Sequence, residues 1–230
     1  HSAEVYISRL ISNGHKVAIC EQVEDPKKAK GMVEREVIRV ITPGTTVDEA
    51  ILDESANNYL VVLFMSGEAT GLAAADASTG EVYAAELSEE KEIIDELASY
   101  SPKEILVNEA FSRAVAKQIE MSFGIKCERR EELFEGGVSE VLSGQFGKPL
   151  DELGLSEKPE TAFAAAGALR YIKYAQKASI EYINKLSVYS IKEYMELDYA
   201  TRRNLEITET MRDKSKRGSL FWVLDKTKTA

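Results

Sequence analysis

The sequence predicts an α/β fold built on one mixed sheet. Three strand-like runs come first, at residues 58–65 (NYLVVLFM), 69–77 (ATGLAAADA) and 81–87 (EVYAAEL). Two short turns separate them, Ser66-Gly67-Glu68 and Ser78-Thr79-Gly80, a spacing that implies an antiparallel meander. Helix and strand patterns then alternate.

Element by element, Ser88 caps a helix over residues 89–100 whose first turn is acidic. EILV (104–107) is a strand, residues 110–121 a helix, and IKCE (125–128) another strand. A meander followed by alternating helix and strand is the plan of a ribonuclease H-like mixed sheet. Residues 136–158 read as one short helix and a loop. Pro159 starts a long helix in which Phe163, Ala166, Leu169 and Ile172 form one buried stripe.

Incomplete pieces flank this unit. Residues 3–13 form a helix stopped by Gly14, and residues 16–20 and 33–44 are strands, the second ended by Pro43-Gly44. Those apolar strands need cover from elsewhere. After the long helix, LSVYSI (186–191) is extended, a helix starts near Thr201, and another begins at 218–230. The expected domains are 1–45, a linker at 46–57, the sheet unit at 58–178, and a helical piece at 179–230. A first residue His1 is the expected start of a piece of a longer chain.

The net charge of −10 is unevenly spread: residues 46–178 hold 25 acidic and 12 basic residues, while the flanks are slightly basic. The middle therefore repels phosphate backbones and suits a protein partner better. In the first 45 residues, Lys16, Lys27, Lys28 and Arg35 are the candidates for weak phosphate contact. Two distant cysteines, Cys20 and Cys127, read as reduced thiols of a cytoplasmic protein, and no apolar run is long enough to span a membrane.

Asp76, before Ser-Thr-Gly, poses the main chemical question. Metal-dependent phosphoryl transfer needs several carboxylates converging on two ions, and Glu109, beyond the 104–107 strand, is the only second candidate. Asp76 with Glu109 is thus the catalytic alternative; the other reading is a turn, with Gly80 supplying a positive φ. GQFGKP (144–149) is no phosphate loop: its glycines are too close together and Pro149 holds the hydroxyl position. Arg202 and Arg203 are expected to pair with Asp198 or Glu206. No metal or cofactor site is expected within the chain.

Three stretches together resemble one family. AICEQ (18–22), Asp25-Pro26, Val33-Glu34-Arg35 and Thr42-Pro43-Gly44-Thr45 resemble the end of the mismatch-recognition domain of bacterial MutS proteins. MELDYATRRNLEIT (195–208) and GSLFWVLDKTKTA (218–230) resemble the start of the MutS core, or lever, domain. The stretch between resembles the connector domain. The resemblance implies DNA mismatch repair by a homodimer that encircles mismatched duplex DNA and signals with ATP and magnesium to MutL. It also implies that the mismatch-inserting phenylalanine precedes His1 and that the ATPase follows Ala230. These residues would then be a non-catalytic connector that docks MutL, by themselves a monomer or weakly self-associated.

Overall fold

The computed structural model describes residues 2–24, 32–48, 51–52, 56–191 and 197–226. Its centre is a six-stranded sheet. Strands β3 (Tyr59–Ser66), β4 (Ala69–Asp76) and β5 (Glu81–Leu87) form the expected antiparallel meander. Gly67 (φ 64°) and Gly80 (φ 75°) make its two turns with the left-handed backbone that glycine adopts without penalty. Two strands extend the sheet on the β3 side, β6 (Glu104–Val107) parallel to β3 and β7 (Cys127–Arg129) parallel to β6. On the other side β8 (Lys185–Tyr189) lies parallel to β5. The order is therefore β7-β6-β3-β4-β5-β8, and the sheet runs past residue 178, where its end was expected.

Two helical layers cover this sheet, because strand residues alternate between its faces. Val61, Leu63, Leu72, Ala74, Ile105 and Val107 meet α2 (Glu90–Tyr100) and α3 (Arg113–Phe123). Leu60, Val62, Ala73, Ala75 and Leu106 meet α5 (Pro159–Gln176), with α4 (Val138–Phe146) beside it. The cap of α2 differs from expectation. Glu89, not Ser88, is the capping residue, and the Glu92 carboxylate accepts the N–H groups of both Ser88 (2.6 Å) and Glu89 (3.1 Å).

Helix α5 is buried far more widely than one stripe. Ala162, Ala164, Ala165, Ala166, Gly167 and Ala168 are buried in its middle, with Leu169, Tyr171 and Ile172 following. Opposite them β4 offers Gly71, Ala73 and Ala75, so helix and sheet approach to backbone distance: a Cβ on Gly71 would lie 2.0 Å from the Glu160 carbonyl oxygen.

The amino-terminal piece comprises α1 (Ser2–Ser12) and an antiparallel hairpin of β1 (Val17–Gln22) and β2 (Arg35–Ile41). The hairpin is largely exposed, with Val37 and Ile38 both about two-fifths accessible. Only its near end is buried, at Ile41 and Thr42. At the other terminus, α6 (Tyr199–Asn204) starts earlier and is shorter than expected, because Asp198 accepts the Thr201 N–H at 2.7 Å and fixes its first turn. Helix α7 (Leu220–Leu224) has no buried residue. No described helix is long and apolar enough to cross a membrane.

Candidate functional site

Glu104 opens β6 and is buried, although a carboxylate at a strand end would ordinarily reach water. Because Glu104 and Leu106 share a face of the sheet, the carboxyl points toward α5, where Tyr171 donates its hydroxyl to it at 2.6 Å. From the hairpin side, the Thr42 hydroxyl (2.5 Å) and the Gly44 N–H (3.1 Å) donate to the second oxygen. Lys16, just before β1, completes the set at 2.7 Å and also bonds Tyr171 (2.8 Å) and Glu128 of β7. Arg130 pairs with Glu128 at 3.2 Å and lies over the Tyr171 ring.

These groups form a polar joint between hairpin and sheet. Burial would lower the Lys16 pKa, but the charge and hydrogen bond of Glu104 outweigh it and hold the ammonium above its usual range. Burial would likewise raise Glu128, yet the hydrogen bonds and charges of Lys16 and Arg130 bring it below the usual carboxylate range. Burial and the neighbouring Glu104 push the Tyr171 phenol up, so it stays a donor. The Thr42–Thr45 loop fits the same corner. Thr42, Thr45 and Thr46 are buried, and a Cβ on Gly44 would lie 2.8 Å from the Glu104 Cβ.

A second joint lies on the opposite face. Asp95 of α2 accepts the Tyr199 N–H at 2.6 Å, Lys91 reaches Asp198 at 3.9 Å, and the Tyr199 ring packs on Phe123 with centroids 5.3 Å apart. The ion pairs expected for Arg202 and Arg203 with Asp198 or Glu206 do not form among the described residues. Arg202 instead donates to the Leu197 carbonyl.

Asp76 and Glu109 are not brought together. Asp76 stands opposite Tyr59, while Glu109 lies two residues past Val107, which pairs with Leu63. They sit toward opposite ends of β3, roughly 15–20 Å apart along the strand direction. Two-metal chemistry needs ions only about 4 Å apart. Each acid has a structural task. Asp76 is buried and accepts from the Asn58 N–H (3.0 Å), the Ser78 N–H (2.8 Å) and the Ser78 hydroxyl (2.6 Å). Its own carbonyl accepts from the Gly80 N–H at 3.0 Å, closing the turn. Glu109 is exposed, and its backbone binds Arg129 (2.8 Å) and Glu131 (2.6 Å). No group of three or more metal-ligating side chains occurs among the described residues. We expect Asp76→Ala to leave nuclease background in Mg²⁺ or Mn²⁺ unchanged. It should cost about 1–3 kcal/mol in urea unfolding, because two backbone donors lose their buried acceptor. Loss of a metal-dependent cleavage signal in that variant would contradict this assignment.

Of the phosphate-contact candidates, Lys16 spends its ammonium inside the joint, and Arg35 is exposed on β2. Lys27 and Lys28 lie outside the described residues. The joint itself was missed because its members are up to 155 residues apart; the one available signal was a glutamate heading the otherwise apolar run EILV.

Comparison with known proteins places this geometry in a family. The family model for MutS domain II matches residues 58–186, more than half of the chain. The chain belongs to the MutS family. The model for MutS domain I matches residues 1–50, so the joint around Glu104 ties the MutS domain I segment to the MutS domain II sheet. Three DNA mismatch repair proteins MutS illustrate the likeness. Those of Ruminiclostridium cellulolyticum, Clostridium perfringens and Caldanaerobacter subterraneus subsp. tengcongensis are each 44% identical across the whole of this chain. The alignments take in 27%, 25% and 27% of those MutS proteins, so the chain spans about a quarter of their length.

Proposed function

We propose that these residues are the non-catalytic connecting segment of a MutS-type mismatch repair protein, relaying conformational change between a DNA-reading part and a lever part. The observation that carries this reading is the pair of polar joints on opposite faces of one sheet, Lys16–Glu104–Tyr171 on the α5 face and Asp95–Tyr199 on the α2 face. Both joints are seated on helices packed on one sheet, so a change in angle at one reaches the other through that sheet. We further read the sheet as ribonuclease H-like, supported by a meander extended from its first strand by two parallel strands. The fold permits catalysis without implying it.

ATP and magnesium chemistry belongs, on this reading, to the longer protein. The GQFGKP stretch does not form a phosphate loop: Gly144 lies inside α4 and Gly147 is its left-handed cap. Mismatched duplex DNA and the homodimer are likewise engaged by the longer protein, in the cytoplasm. MutL docking is assigned to the acidic sheet unit, whose 25 acidic against 12 basic residues in 46–178 favour a protein partner over a phosphate backbone. Interferometry against MutL at two salt concentrations should give saturable, salt-weakened binding; absence of binding removes the docking assignment from the isolated segment.

The relay is tested by hydrogen exchange. Lys16→Met perturbs only the first joint, and faster exchange is expected at 95–100 and 198–205 as well as at 16–22. Exchange altered at 16–22 alone would sink the relay.

A further inference from the structure

We propose that Lys16 is a releasable strap, and that opening it lets the β1–β2 hairpin swing about the Thr42–Thr46 loop. The inference deepens the connector reading and rests on it for its purpose, though its geometry stands separately.

The two halves of the joint differ in what they lose when Lys16 leaves. Glu104 keeps three neutral donors without it: the Thr42 hydroxyl, the Gly44 N–H and the Tyr171 hydroxyl. The loop is pressed so closely on the sheet that a Cβ on Gly44 would come within 3.2 Å of the Leu60 Cα. This half is a pivot that survives. The other half faces water. The Lys16 and Glu128 side chains are 32% and 39% exposed, and Glu128 keeps Arg130 as a partner when Lys16 departs. Glu104 is the buried side, its side chain only 7% exposed. An uncompensated buried charge is the usual obstacle to opening such a pair, and the three neutral donors are what compensate Glu104 once the ammonium leaves.

The hairpin turns a small opening into a large one. Lys16 and Ile41 sit at its near end, next to the pivot, while Gln22 and Arg35 pair at its far end and are both exposed. Strand geometry places that far end about 20 Å from the strap. Beyond the joint, β2 also lies against α5. Among the described residues, Lys16 carries the ion pairs that tie the hairpin to the sheet unit.

The test measures that angle by spin-label distances on the full chain. One label goes on Cys20, which is exposed on β1, and one on Met121→Cys, exposed on α3. Cys127 is replaced by alanine, although burial already raises its thiol to about 11 and slows its labelling. At about 0.1 M salt a single narrow distance is expected. At about 1 M salt, where the screening length falls from about 10 Å to about 3 Å, the distribution should broaden and shift. Lys16→Met, which removes the ammonium from Glu104, Tyr171 and Glu128 together, should reproduce the shift at low salt with at most a small drop in the melting midpoint of the sheet. An identical distribution at both salts and in Lys16→Met overturns the proposal. So does a distribution that is already broad at low salt, since nothing would then be strapped. Should Lys16→Met fail to fold, the salt series on the unaltered joint decides. Salt-driven opening with silent exchange at 198–205 would keep the strap and remove the relay; coupled exchange with a fixed distance would do the reverse.

Discussion

Gly71→Ala will lower stability by about 3 kcal/mol or more, the upper range for overpacking in a closely packed core. The added Cβ would lie 2.0 Å from the Glu160 carbonyl oxygen, 2.1 Å from its carbon and 2.4 Å from the Thr161 nitrogen. All three are backbone atoms of the first turn of α5, so no side-chain rotamer relieves the clash. The helix must retreat, and Ala162, Ala164, Ala165 and Ala168 lose contact with β4 together. Gly144→Ala is the control. It lies inside α4 with nothing within 4 Å of a new Cβ, and removing a helical glycine should stabilise by up to about 1 kcal/mol. Urea midpoints of the two variants should move in opposite directions. A Gly71→Ala protein within about 0.5 kcal/mol of the parent would show that the helix retreats freely.

Glu104→Ala will cost about 3 kcal/mol. It leaves the Gly44 N–H and the Tyr171 hydroxyl without their acceptor, while the Thr42 hydroxyl keeps Thr45 at 2.7 Å, and each orphaned buried donor costs about 1–3 kcal/mol when water cannot replace it. The Lys16 contribution is smaller, because that side chain is one-third exposed and solvent screens it. Lys16→Met should accordingly cost less than about 1 kcal/mol, and Glu104→Gln should recover part of the loss by keeping one acceptor oxygen. Equal losses for Glu104→Ala and Lys16→Met would mean that the ion pair, not the neutral donors, holds the loop.

What the sequence made legible follows from how local the cause is. The meander was readable because its turns are set by Gly67 and Gly80 within a few residues of the strands they join. Strand β6 was readable from the apolar run at residues 105–107 between turn signals, and the start of α5 because Pro159 suits a first helical turn. Strand β8 as the sixth member of the sheet was not, since its partner β5 lies about 104 residues earlier and a parallel pairing leaves no turn to recognise. The breadth of α5 burial was hidden by alanine, which carries no strong periodic signal. Asp76 was readable as a turn residue from Ser78 and Gly80 beside it. The partners of Glu104 were not, because Thr42, Gly44 and Tyr171 come from separate elements 60 or more residues away.

The alanine face of α5 has a mechanical consequence. Alanine has no side-chain torsion that can switch rotamer, and the contact between this helix and β4 is made of alanine, glycine and backbone. A displacement applied at Tyr171, near the far end of the same helix, therefore meets few side chains able to absorb it by repacking. Long, branched side chains would act there as a cushion; methyl groups against backbone act as a stiff plate. A push on one face is delivered to the other as a tilt of the whole unit, with little of it lost as internal give.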